Sequence, residues 1–170
     1  IREVLTNLQD CEINQLDVLI NNAGVFIGGP LVEIEPADFE RLIKVNILGT
    51  FLVTKYFFPL LLPTQGIIVN MSSEAARFSF PFNGPYSITK FATEAFSDAL
   101  RRELKLLGIK VVKIQPGAIR TALLEGAEKE YESLINRSQF FKKQLMIALK
   151  FLKEDIRKGA EPEFVAKKIL

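Results

Sequence analysis

Three short apolar runs, at 16–20, 66–71 and 109–114, each break off into a cluster of small polar residues. Leu16-Asp17-Val18-Leu19-Ile20 gives way to Asn21-Asn22-Ala23-Gly24. Gly66-Ile67-Ile68-Val69-Asn70-Met71 gives way to Ser72-Ser73. Ile109-Lys110-Val111-Val112-Lys113-Ile114 gives way to Gln115-Pro116-Gly117. Near-continuous apolar runs of this length suit strands covered on both faces, as in parallel sheets. Helical periodicity fills the intervals between the runs, so the pattern predicts an α/β fold with a parallel sheet and right-handed crossovers. Such sheets bind ligands beyond the carboxyl ends of their strands. The three polar clusters should therefore share one edge.

The intervening segments read as helices. Glu35-Pro36-Ala37-Asp38 resembles a helix start, with proline at the first position and acids in the first turn. Phe39, Leu42, Ile43, Val45 and Ile47 then recur at helical spacing, and the helix is expected to reach about residue 62. Asn46 falls inside it on a buried stretch, as a satisfied core amide or a functional one. Gly49 should let another backbone come close. A second helix is expected from about 86 to 107, ended by Gly108 as a cap. Residues 122–158 read as helical and charged, 2–9 as the tail of a helix, and Pro162 opens another. No repeat or linker interrupts the chain, which reads as one domain over residues 1–170.

Composition narrows the chemistry. The 170 residues include no histidine, which removes His-based metal sites and any Ser-His-Asp triad. The single cysteine, Cys11, forms no internal disulfide and reads as a spectator. A net charge of +2 gives no electrostatic case for nucleic acid. The most apolar run, 45–62, contains Asn46, Lys55 and Pro59 and reads as a core helix rather than a membrane span.

An acid/base group must then come from another residue type, and Tyr86 with Lys90 fits. Four residues apart on a helix, their side chains share one face, about 6 Å apart along the axis. A nearby ammonium favours the phenolate and lowers its pKa. A tyrosine so tuned serves as acid or base near neutral pH. Singly, each residue also has a plainer role: Asn22 and Gly24 as a turn, Pro116-Gly117 as a strand end, Lys90 as a solvated charge pairing with Glu94.

Taken together, Asn21-Asn22-Ala23-Gly24, Asn46, Ser73, Tyr86-x-x-x-Lys90 and Pro116-Gly117, in this order and spacing, resemble the short-chain dehydrogenase/reductase family. The resemblance implies a Rossmann-like, doubly wound, three-layer α/β/α domain. It also implies hydride transfer between NAD or NADP and an alcohol or carbonyl. Tyr86 would trade a proton with the substrate oxygen. Lys90 would tune Tyr86 and hold the nicotinamide ribose. The Ser73 hydroxyl would bond the substrate oxygen, and Asn46 would complete a proton relay. Asn22, Ala23 and Gly24 would pack by the adenosine half of the cofactor. Pro116 and Gly117 would pass beside the nicotinamide, with Ile119 and Thr121 on its carboxamide or the phosphates. No metal is implied.

One departure stands out. The Gly-rich strand-turn-helix that opens the family's fold is absent, as is the residue that would choose between NAD and NADP. The chain is thus expected to be a fragment lacking the first βαβ units, weak in cofactor binding and inactive by itself. A truncated, non-catalytic paralogue binding a ligand or partner is the alternative, and an epimerase or dehydratase on the same fold fits less well. Phe78, Phe80 and Phe82 lie in the loop that lines the family's substrate pocket, and 122–158 corresponds to its substrate lid, with Phe140, Phe141 and Met146. A lipophilic substrate contacting Phe80 and Phe82 is one expectation; core packing is the other. The family's pairing of long helices implies a homodimer or homotetramer. The location is expected to be cytoplasmic, or membrane-associated through an N-terminal segment.

Overall fold

β2 (Ile67–Met71) holds the centre of a three-stranded parallel sheet, between β1 (Val18–Asn21) and β3 (Lys110–Ile114). This computed structural model describes residues 1–169, apart from the side chains at positions 2, 5 and 9. β2 takes the central place because its run is β-branched and apolar throughout its middle. Ile68 is fully buried, and with Leu19, Leu61, Leu104, Ile109 and Val111 it forms the core under one face. Each such side chain contributes roughly 1.5–3 kcal/mol. The opposite face is open at the edges: Val18 and Ile20 are 46% and 45% exposed, and Val112 41%. Burial on both faces therefore holds for β2 but, among the described residues, not for β1.

The expected helix over 36–62 is present, with an irregular middle. α2 (Pro36–Leu42) and α3 (Thr50–Leu61) are joined through a π-helical segment, Ile43–Gly49. Asn46 sits at the centre of that segment. Gly49 does not serve a close approach, since a Cβ there would meet only the Lys44 carbonyl, at an ordinary 3.5 Å. α4 (Gly84–Leu104) begins two residues earlier than expected because Gly84-Pro85 enter its first turn, where proline is tolerated. It ends through a 3₁₀ turn, and Gly108 at φ 77° provides the left-handed cap.

The charged helical stretch is two helices, α5 (Ala122–Arg137) and α6 (Lys142–Lys158), packed around Tyr131, Leu134 and Leu145. Glu33 fixes their junction. Its carboxylate accepts from Ser138 Oγ (2.7 Å) and from the amides of Phe140 (2.9 Å) and Gln139 (3.2 Å). The Ser138 bond is the main cause holding the Glu33 carboxyl below the usual range. α1 (Arg2–Asp10) leads into the exposed, free Cys11. α7 (Pro162–Ile169) follows a bridge between Ile119 and Ala160. Among the described residues no helix is long and apolar enough to cross a membrane.

Candidate active site

The amino end of α4 carries Tyr86 in its first turn and Lys90 one turn later, both buried, at 8% and 7% exposure. Lys90 Nζ lies 5.5 Å from the Tyr86 ring centroid and donates to the Met71 carbonyl at 2.8 Å, at the end of β2. Lys90 does not pair with Glu94. Burial pushes the Tyr86 phenol up to about 12, opposed by its bond with the Ser73 side chain. Burial also draws the Lys90 ammonium down to about 8. An ammonium one turn away would lower the tyrosine, but burial sets both shifts here, because α4 sinks the two groups together against the strand end.

Ser73 follows β2 directly. Its Oγ accepts from the Ala75 amide at 3.2 Å, capping a short 3₁₀ turn, and this fixes the hydroxyl on the Tyr86 side. Asn46 is engaged on every side. Its Oδ1 accepts from the Val25 amide (2.9 Å), and its Nδ2 donates to the Val25 carbonyl (2.9 Å) and Thr89 Oγ1 (3.0 Å). Thr89 Oγ1 in turn donates to the Tyr86 carbonyl at 2.8 Å. The amide thus clasps the loop after β1 to the tyrosine-bearing turn. The Asn46 carbonyl accepts from Thr50 Oγ1 at 3.0 Å.

Gly24 lies beside both: a Cβ at that position would stand 3.4 Å from Asn46 Oδ1 and 3.9 Å from Lys90 Nζ, ordinary contact distances. Asn22 and Ala23 are exposed on the rim. Pro116 and Gly117 lie along the neighbouring strip, where the Glu74 amide donates to the Pro116 carbonyl at 2.9 Å. Ile119 and Thr121 are half-buried farther along the chain. Ile119 bridges to Ala160, and Thr121 Oγ1 donates to the Ile119 carbonyl at 3.3 Å. The structure gives neither a bond to Tyr86 or Lys90.

The loop phenylalanines divide. Phe78 and Phe80 are exposed (62% and 53%) and lie 6.3 Å apart. Phe82 is half-buried at φ 66° and packs edge-on against Phe141 of the α5–α6 junction at 5.8 Å. Phe26 escaped the sequence reading. Its ring lies 5.1 Å from Tyr86 and 6.4 Å from Tyr131, joining the start of α4 to α5. It sits in an irregular loop where neither periodicity applies. Gly28 close behind it is the one available signal, since a Cβ there would strike the Tyr131 ring at 2.8 Å. Asn21 was read only as part of a turn. It is buried and donates to Asn70 Oδ1 (2.8 Å) and Thr54 Oγ1 (2.9 Å). Among the described residues no cluster of acidic groups and cysteine is placed to hold a metal.

A parallel sheet with flanking helices defines a Rossmann-like α/β protein. More narrowly, the chain belongs to the short-chain dehydrogenase/reductase family: a family profile described as "short chain dehydrogenase" matches residues 2–132. It is 43% identical over 122 residues to short-chain dehydrogenase/reductase family 9C member 7 of Bos taurus, covering 70% of this chain and 39% of that protein. It is 43% identical over 99 residues to the mitochondrial D-beta-hydroxybutyrate dehydrogenase of Rattus norvegicus, covering 58% of this chain and 29% of that one. The solved structure "ElxO with NADP Bound" superposes with a TM-score of 0.66 at 32% identity, over 78% of this chain and 56% of that chain. The chain thus spans well under two thirds of the proteins it matches.

Proposed function

We propose that the whole protein transfers a hydride between NAD or NADP and an alcohol–carbonyl pair, with Tyr86 as the acid/base. The observation that carries this reading is the burial of Tyr86 and Lys90 together at a strand end, where Lys90 donates to the Met71 carbonyl. Ser73 and Tyr86 bind the substrate oxygen. Ser73 stabilises charge developing there, while Tyr86 gives up or takes the proton. Lys90 holds a ribose hydroxyl beside Gly24, and its positive charge favours phenolate once the site is assembled. Asn46 holds the loop and, through its carbonyl, stands at the head of a relay. Asn22, Ala23, Pro116, Gly117, Ile119 and Thr121 complete the cofactor's bed. The nicotinamide supplies or accepts the hydride when bound.

The substrate we assign is lipophilic, with α5 and α6 as a lid over it. Support comes from the aromatic wall of Phe26, Phe82, Tyr131 and Phe141, and from Phe80 at the loop surface. The protein acts as a homodimer or homotetramer, in the cytoplasm or at a membrane surface. Ile1–Leu170 alone, with one sheet face open and no Gly-rich turn, is not the active unit.

The test is turnover by the whole protein with NADH and NADPH, on a long-chain or retinoid carbonyl and on a short keto acid. Tyr86→Phe is expected to lower kcat about 10²–10⁴-fold. Unchanged turnover in that variant would remove the mechanism, and preference for the short keto acid would remove the lipophilic assignment.

A further inference from the structure

Two apolar clusters flank the loop after β1. One gathers Ile27, Leu42 and Ala75 around Tyr86, and the other gathers Tyr131, Leu134 and Leu145 between α5 and α6. Among the described residues Phe26 alone packs against both. Its ring is tilted by 49° to that of Tyr86, with the centroids 5.1 Å apart. To the Tyr131 ring it lies within 25° of parallel, at 6.4 Å. Among the described residues no ring contact joins Tyr131 to Tyr86 directly, so the aromatic route from α5 to Tyr86 runs through Phe26.

The loop that carries Phe26 is held at both ends. Just before it, Asn46 engages the Val25 amide and carbonyl, each at 2.9 Å. Just beyond it, the Gly29 amide donates to the Phe82 carbonyl at 2.6 Å. Gly28 leaves no room for a side chain: an added Cβ would stand 2.8 Å from the Tyr131 ring and 3.1 Å from that of Phe26. With the backbone fixed on both sides, the ring moves only about its own side-chain torsions, and there Tyr131 packs against it. The Tyr86 ring needs such a neighbour, because its phenol must point at a reacting oxygen. Lys90 Nζ lies 5.5 Å from the Tyr86 centroid, but an ammonium is a point charge and sets no ring angle. A tilted aromatic pair does, because ring quadrupoles prefer some angles to others.

We propose that Phe26 is a positioning residue that seats the Tyr86 ring and through which Tyr131 of α5 bears on it. The inference rests on the proposed hydride transfer, in which Tyr86 is the acid/base. It goes beyond the apolar wall assigned to the substrate, since it acts on the protein's own phenol. Such seating matters because a misplacement of about 1 Å costs roughly a hundredfold in rate.

The experiment uses the whole protein labelled with meta-fluorotyrosine, the Tyr86 fluorine signal being assigned by its loss in Tyr86→Phe. Tyr131→Leu and Phe26→Leu are made singly and together, with Tyr131→Phe as the variant that keeps the ring. Tyr131→Leu is expected to move the Tyr86 signal, and Tyr131→Phe to leave it in place. Once Phe26 is replaced, Tyr131→Leu should have no further effect, since non-additivity of this kind marks residues that act through a shared contact. Without the label, Phe26→Leu is expected to lower kcat about tenfold, whereas loss of a substrate contact alone would raise KM and spare kcat. A Tyr86 signal that stays in place in Tyr131→Leu, or moves equally with and without Phe26, would overturn the proposal, as would an unchanged kcat in Phe26→Leu. If Phe26→Leu does not fold, Phe26→Met takes its place in both readouts. An inactive wild type would fail the hydride-transfer reading alone, and the fluorine signals would still decide the seating of Tyr86.

Discussion

Lys90 bears an ammonium in a place that disfavours it, and that leaves a signature in stability against pH. Its ordinary pKa of 10.5 falls to about 8 in the folded chain because burial disfavours the charge. Below pH 8 both states hold the proton, and the buried charge weakens the fold by a constant amount. Between 8 and 10.5 the folded protein has released the proton while the unfolded chain still binds it, so stability rises with pH across that window. Tyr86 acts in the opposite sense and later. Its pKa goes from 10.0 up to about 12, so the folded state keeps its proton longer and stability falls with pH over that range. Lys90→Met is thus expected to be the more stable form at pH 7, with the gap narrowing by roughly 1–3 kcal/mol toward pH 10. Denaturant titrations at several pH values measure it, and a gap independent of pH would contradict the assignment. The spacing of Tyr86 and Lys90 is legible in the sequence, as is the distance back to Ser73. The direction of their pKa shifts is not, since it depends on how deeply α4 seats both groups. Phe26 was illegible for a related reason: a loop residue has no periodicity to declare its neighbour.

At the scale of elements, the π segment Ile43–Gly49 does what a regular helix would not. π turns occur mostly as local insertions and often near functional sites. Here the segment aims Asn46 at Val25 on one side and Thr89 on the other. The helix itself was evident from Pro36 and the spacing of Phe39, Leu42 and Ile43. The π register was hidden, because apolar residues are so dense there that either winding buries some. Asn46→Ala leaves the Val25 amide and carbonyl without partners in a half-buried loop. Each loss of this kind costs about 1–3 kcal/mol, and relaxation of the loop toward water recovers part of it. The expected net loss is about 2–4 kcal/mol, read as a lower urea midpoint with unchanged slope. A midpoint within error of wild type would mean that the clasp contributes nothing. Thr89 belongs to the same device. With Thr93 and Ser97 it forms a stripe of small hydroxyls along α4, and Ser97 accepts from Asn70 at 2.8 Å. The stripe continues the polar line Asn21–Asn70–Lys113, which the strand register sets side by side across the sheet.

For the molecule as a whole, two apolar surfaces stay open, and they differ in kind. One is the sheet face at Val18, Ile20 and Val112, made of residues on separate strands. The other is a groove between α3 and α4, lined by Phe51, Thr54, Lys55, Phe58, Phe96, Leu100 and Leu104. Phe51 is 44% exposed there, and Lys55 lies over its ring at 5.8 Å. The sequence placed these residues on helices but gave no sign that they share a groove, which depends on how the two helices cross. A groove of this composition on two long neighbouring helices is suited to the same groove of a second copy, because a two-fold axis sets each patch against its own image. Aromatic anchors at the centre of such a contact carry most of its energy. Phe51→Glu with Leu100→Glu would bury four like charges across that axis and leave the Tyr86 end of α4 untouched. The expected outcome is a dissociation constant at least about a hundredfold weaker, seen in sedimentation as loss of the association proposed for the unaltered whole protein. Tyr86 and Lys90 lie at the other end of α4, so cofactor affinity per chain should remain within about twofold. If the double variant sediments as the unaltered protein does, the α3–α4 groove is not the interface.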